Sequence, residues 1–210
     1  MKKRGLIILC VLAGMSFLAK AEDWAEWLSK GRQIAESVGI FQEKSQNIQQ
    51  YSGKVVKVSD GDTVWVVDSD GLRHKIRLAY IDAPESQQAH GKAARDALNA
   101  LAYGKTVEVW VFDRDRYKRE VAQIRLNDRD LNLAQIEQGH AWHYVSIAKR
   151  QQSETGYALY AAAEMNARYH KKGLWRQRNP QAPWDFRRRE REKQESAGNK
   201  SGRENNKKNR

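Results

Sequence analysis

The sequence predicts an α+β fold dominated by a small closed β-barrel, five strands in the OB arrangement, with about three helices attached. Three observations carry this reading. Five Val- and Ile-rich runs of strand length lie between residues 54 and 126. An Asp70-Gly71 pair supplies a hairpin turn between two of them, and stretches with apolar residues every three or four positions are interleaved with the strands. A single layer of this many short strands buries its apolar face most simply by closing on itself, and the five-stranded OB barrel is the smallest such architecture that carries helices.

The elements follow in chain order. Lys2-Lys3-Arg4, the apolar run Leu6 to Ala19 and the small-x-small site Ala19-Lys20-Ala21 have the form of an export leader cleaved after Ala21. The run is shorter than the ~20 apolar residues that span a bilayer, so no stable membrane insertion is expected after cleavage. The only cysteine, Cys10, lies within it, which leaves the mature chain without thiol or disulfide chemistry. Residues 22–50 read as a helical extension whose stripe (Trp24, Trp27, Leu28, Ile34, Ala35, Val38, Phe41) suits docking on a partner surface.

The barrel domain is placed at residues 51–178, with strands at Lys54–Ser59, Thr63–Asp68, Leu72–Ile81, Thr106–Phe112 and Glu120–Leu126. Helices are expected at Ala89–Tyr103, Leu131–Gln138 and Glu154–Lys172, the last two ending at Gly139 and Gly173. Residues 179–210 are a basic tail. From Arg187 onward it carries ten Lys/Arg against four Glu, half of the chain's formal net charge of +12, and its composition predicts disorder and attraction to a polyanion.

Carboxylates and arginines concentrate in the barrel: Asp60-Gly61-Asp62-Thr63, Arg77, Asp82-Ala83-Pro84-Glu85 and Arg119. Carboxylates clustered against their repulsion suit a hard cation, and arginines beside them suit a phosphate. A polyanion cleaved with metal assistance satisfies both. If Ser69-Asp70-Gly71 forms the hairpin loop, Thr63 faces Arg77 and Asp62 lies within one residue of that pair. Asp82 is five residues past Arg77, about 16 Å along a flat strand, so only a strongly coiled sheet returns it to Asp62. The competing structural reading makes Asp62 a turn residue, Asp82 and Glu85 helix caps, and Arg77 a salt-bridge partner of Asp62. His140 and His143 lack the companions of a zinc site, and Asp113-Arg114-Asp115-Arg116 lacks the glycine and terminal glutamate of an EF-hand loop.

Together with Ile76-Arg77-Leu78, Tyr117-Lys118-Arg119 and Gly173-Leu174-Trp175, these pieces resemble the staphylococcal (micrococcal), thermonuclease-like family in order and approximate spacing, from about Lys54 to Trp175. The resemblance implies an OB barrel and a calcium-dependent endonuclease that hydrolyses DNA and RNA to products ending in 3′-phosphates, with single strands preferred. It implies that Asp62, Asp82 and the Ala83 carbonyl bind Ca²⁺ and that Glu85 acts as general base. Arg77 and Arg119 would bind the phosphate in the transition state, with Tyr117 and Tyr144 lining a nucleotide pocket. Lys118 stands where the family usually has glycine; lysine resists positive φ, and its charge adds a contact for substrate phosphate. With the leader, this implies a secreted or periplasmic enzyme. The alternative is a catalytically inactive nuclease-like OB module that binds nucleic acid or protein.

Overall fold

The computed structural model describes residues 48–208, with side-chain environments up to residue 196. The leader and most of the tryptophan-bearing helix expected at 22–50 lie outside the described residues. The last two positions of that expected helix, Gln49 and Gln50, instead begin a strand.

The first strand, β1 (Gln49–Asp60), is long and shared. Its first half pairs antiparallel with β5 (Thr106–Arg114), and its second half pairs with β2 (Thr63–Asp68). Gly53 sits at the crossover, where an added Cβ would collide with Val66 and the Val67 carbonyl. Two irregularities, after Val55 and after Val58, coil the strand further. β3 (Arg73–Leu78) pairs with β2 in the register expected from the turn, Thr63 opposite Arg77 and Trp65 opposite Lys75. β5 pairs with β6 (Glu120–Leu126), and β6 closes the ring by a parallel pairing with β3, Arg77 opposite Val121. This five-stranded closed barrel is the predicted OB arrangement.

Inward positions alternate along the strands as the pleat requires: Val64, Val66, Ile76, Leu78, Val107, Val109, Ala122 and Ile124 are all buried. Each such side chain contributes about 1.5–3 kcal/mol on burial. Helices α1 (Gly91–Ala102) and α2 (Leu131–Glu137) cap the barrel with Ala94, Leu98, Leu131 and Ile136. Asp130 caps α2 through the amides of Asn132 and Leu133, and its second oxygen accepts from the Tyr160 hydroxyl of α4 (Glu154–Tyr169) at 2.6 Å.

Three features depart from the sequence reading. The strand expected over Leu72–Ile81 ends at Leu78. Tyr80 takes φ 65°, and the chain resumes as a two-residue strand, β4 (Ile81–Asp82), on β8 (Trp142–His143). Asn132 fixes the break by donating to the carbonyls of Ala79 and Ala122. Among the described residues there are five α-helices rather than about three. One of the additional two, α3 (Val145–Gln151), buries only Ala148 and so lacks a legible stripe. The tail read as disordered contains the other, α5 (Pro183–Lys208). Its first turn docks: Pro183 is buried, Trp184 stacks on Tyr144 at 5.7 Å, and Arg187 is ion-paired. Net composition missed this because a few anchoring residues fix a helix whose remainder is polar. The small strand β7 (Arg129–Asp130) completes the sheet.

A polar network built on buried Glu120 joins all five barrel strands. Glu120 accepts from the Tyr51 hydroxyl at 2.6 Å, from Arg114 at 3.0 Å and pairs with His74 Nδ1 at 3.1 Å, while His74 Nε2 reaches Asp68 at 2.9 Å. Burial alone would lower His74's pKa, but its bonds to Asp68 and Glu120 outweigh this and hold it above the ordinary value. The His74 bond likewise holds Asp68 below the usual carboxylate range. The histidine contribution is complete below its unfolded pKa of about 6.5 and is lost as pH rises through the folded value; the aspartate contribution appears above about 3.9. His74→Gln should therefore depress the melting temperature most near pH 5–6, with the gap closing at higher pH. A gap that is flat from pH 5 to 8 would contradict the assignment.

Candidate active site

The turn Asp60-Gly61-Asp62-Thr63 joins β1 to β2 and packs against the segment after β4. A Cβ on Gly61 would lie 2.7 Å from the Cβ atoms of Ala83 and Ala94, so only glycine allows this approach. Gln135 secures the turn by donating to the Gly61 carbonyl at 2.8 Å, and Asp60 accepts from the Asp62 amide at 3.1 Å. Asp62 Oδ2 then receives the Ala83 N–H at 2.7 Å and Arg77 Nη1 at 2.6 Å. The other arm of the same guanidinium, Nη2, meets Asp82 Oδ1 at 2.8 Å. The bend at Tyr80 therefore does what a flat strand could not: it returns Asp82 to Asp62, on one arginine.

Electrostatics are severe here. Burial pushes the Asp62 carboxyl well above the usual range, Asp60 and Asp82 push it further, and Arg77 and the Ala83 N–H pull it back. Burial would lower the Arg77 guanidinium, but Asp62 and Asp82 outweigh this and raise it. Asp82 lies in β4 and Glu85 well before α1, so neither caps a helix, whereas Asp62 is a turn residue with Arg77 as its salt-bridge partner, as the competing structural reading has it.

Arg187 of α5 supplies a second guanidinium. Its Nη2 lies 2.7 Å from Asp82 Oδ2, and its Nη1 lies 3.1 Å from Asp82 Oδ1 and 2.8 Å from Glu85 Oε1. The sequence reading counted this residue only as tail charge. The local signal for it is Pro183-Trp184-x-Phe186, a proline at a helix start followed by apolar anchors.

Other expected residues are held by partners of their own. Arg119 is held by Asp115 at 2.7 Å in the β5–β6 hairpin, with its guanidinium 5.6 Å from the Tyr117 ring centroid. Lys118 adopts φ 61°, the left-handed conformation that glycine tolerates and lysine resists. Its amide donates to the Asp115 carbonyl at 2.9 Å, and Asp115 in turn accepts from the amides of Tyr117 and Arg119. Asp115 is thus the organiser of this hairpin rather than simple exposed charge. Tyr117 is 64% exposed, whereas Tyr144 has one face covered by Trp184. His140 pairs with His90 at 2.9 Å, and burial lowers its pKa to about 4; His143 bonds to Gln152.

Among the described residues, no three acidic or imidazole side chains form a ready metal cluster. What the site offers is two buried carboxylates on one guanidinium, with the Ala83 carbonyl next in the chain. An all-oxygen, low-count donor set of this kind fits a hard cation with waters completing the shell, and it does not fit a metal that wants nitrogen or sulfur.

Comparison with known proteins gives a consistent picture. A family model described as "Staphylococcal nuclease homologue" matches residues 75–177, a span that includes Arg77, Asp82, Glu85 and Arg119 but neither Asp62 nor Arg187. An "Uncharacterized endonuclease" of Escherichia coli is 40% identical over 138 residues, covering 65% of this chain and 85% of that protein. A protein of the same description from Haemophilus influenzae is 38% identical over 137 residues, covering 65% of this chain and 73% of its own. "Probable staphylococcal-like nuclease CAN2" of Oryza sativa subsp. japonica is 34% identical over 144 residues, and the matched part is 36% of its length. The chain thus spans only about a third of the rice relative.

Because Arg77 neutralises two buried carboxylates at once, Arg77→Ala is expected to lower folding stability at neutral pH by about 3 kcal/mol or more. The loss should shrink in acid, where the orphaned carboxylates protonate. Denaturant unfolding at pH 7 and pH 4 measures both; an equal loss at the two pH values would exclude this account.

Proposed function

The chain belongs to the staphylococcal nuclease family, and from that premise we propose that it is a calcium-dependent endonuclease that hydrolyses the phosphodiester bonds of DNA and RNA. Membership establishes a nuclease-like protein; the metal, the substrate range and the chemistry are our reading. The observation that carries it is the convergence of Asp62 and Asp82, twenty positions apart, in a buried site on one arginine. Packing gains nothing from two acids so placed, whereas a site for a hard cation and a phosphate requires them.

In this reading Asp62, Asp82 and the Ala83 carbonyl hold Ca²⁺, which when bound withdraws charge from a phosphate oxygen. Glu85, whose side chain is 38% exposed beside them, accepts the proton of the water that attacks phosphorus. Arg77 would donate in-plane N–H groups of its fork to the phosphate oxygens as charge builds on them, with its orientation already set by the two aspartates. Arg119 supplies a second guanidinium from the β5–β6 hairpin, oriented by Asp115, and Tyr117 and Lys118 flank it where a strand would pass. Water adds to phosphorus as its proton passes to Glu85, the P–O5′ bond breaks, the 5′-oxygen takes up a proton from solvent, and the phosphate stays on the 3′ side. Export to the periplasm or medium rests on the sequence of residues 1–21.

The second reading, a nuclease-like module that binds without cutting, draws support from Arg187, which engages both Asp82 and Glu85. One assay separates the two. Full-length protein should degrade single-stranded DNA with Ca²⁺, not with chelator, and Glu85→Gln should lower the rate about 10²–10⁴-fold while the fold persists. Salt-sensitive DNA binding with no cutting at any Ca²⁺ concentration would establish the binding module instead.

A further inference from the structure

We propose that Arg187 is a built-in counter-cation of the acidic site, competing with a divalent cation for Asp82 while it holds Glu85, so that the C-terminal helix latches the site. The inference rests on the calcium reading above and deepens it.

Geometry is the first support. Both oxygens of Asp82 are engaged, Oδ2 by Arg187 and Oδ1 by Arg77 and Arg187 together, and Glu85 Oε1 is held by the same guanidinium. A cation held by Asp62, Asp82 and the Ala83 carbonyl needs the Asp82 lone pairs that Arg187 now occupies. The Asp82 side chain is 0% exposed while that of Arg187 is 35% exposed. The arginine therefore stands between the carboxylate and water, on the side from which an ion would enter.

Charge is the second. With Asp62, Asp82 and Glu85 ionised, Arg77 and Arg187 together leave the cluster with one net negative charge. Withdrawing Arg187 leaves two, which a divalent cation balances. Loss of Arg187 without a replacement would strand a buried carboxylate on Arg77 alone, which is costly. Exchange of one cation for the other avoids that penalty in either direction.

The third is anchoring. Arg187 is one turn into α5, and that turn is fixed by buried Pro183 and by Trp184, which lies 5.7 Å from Tyr144 and 5.6 Å from Trp142. A long side chain on a seated helix turn returns to its partners at high effective concentration and can swing away without unfolding the barrel. Arg188 and Arg189 are exposed, so the contact is specific to one residue of the basic run. A merely structural tether would leave metal affinity unchanged.

Calorimetric titration of full-length protein with CaCl₂ tests this. Arg187→Ala should bind Ca²⁺ about tenfold tighter than wild type or better, and Arg187→Lys, a point charge that cannot span both carboxylates, should fall between. Should the alanine variant fold poorly, the wild type still decides: Ca²⁺ should speed hydrogen exchange of the backbone amides of residues 184–190. Equal or weaker affinity in the variants, or exchange at 184–190 that ignores Ca²⁺, overturns the latch and leaves the calcium site standing. No Ca²⁺ binding by any of the proteins overturns both.

Discussion

Holding two carboxylates side by side out of water is the constraint on which the rest of this structure depends. Asp62 and Asp82 repel one another, and burial raises the cost of each charge. A protein can maintain such a pair only if cations and N–H groups are fixed around it before it forms. Arg77, rigid and always charged, satisfies both acids with one planar group, and the Ala83 N–H adds a third fixed dipole. The site is therefore preorganised by charges already facing one another, the condition under which electrostatic stabilisation of a transition state is strongest.

The barrel exists in the form that makes this meeting possible. Parallel closure of β3 on β6 sets the curl, and β1 bends across two partners to let it close. The left-handed Tyr80 then drops the chain out of the barrel, and β4 carries Asp82 back over the β1–β2 turn. Gly61 lets backbone and side chain touch there, and the buried amides Gln135 and Asn132 tie the turn and the break to helix α2. These uncharged side chains make no contact with the acids, yet they fix the distance between them.

The C-terminal helix adds a second, exchangeable cation to a site whose first cation is permanent. Arg77 is enclosed by the barrel and paired on both arms, whereas Arg187 reaches in from a helix held chiefly by aromatic stacking. The difference in enclosure separates a structural charge from one that can leave. The two arginines therefore occupy one electrostatic site but belong to different parts of the molecule's energetics.

By itself the sequence determined the barrel, because strand alternation and the Asp70-Gly71 turn are local signals, and the turn also set Thr63 against Arg77. It also supplied Asp62, Arg77, Asp82 and Glu85 as candidates through residue type and order. Tertiary structure alone decided that Asp82 shares Arg77 with Asp62, since that depends on one left-handed residue, Tyr80, for which residue type gives no warning. It alone decided that Arg119 lies with Asp115, and that a segment too polar to fold by composition is a helix whose Arg187 enters the site. A net charge averages over a tail, whereas docking depends on a few residues, Pro183, Trp184 and Arg187, and on a surface 40 to 105 positions away in sequence. Long-range pairing of this kind is invisible in local pattern because its free energy comes from groups that meet only after the chain has folded.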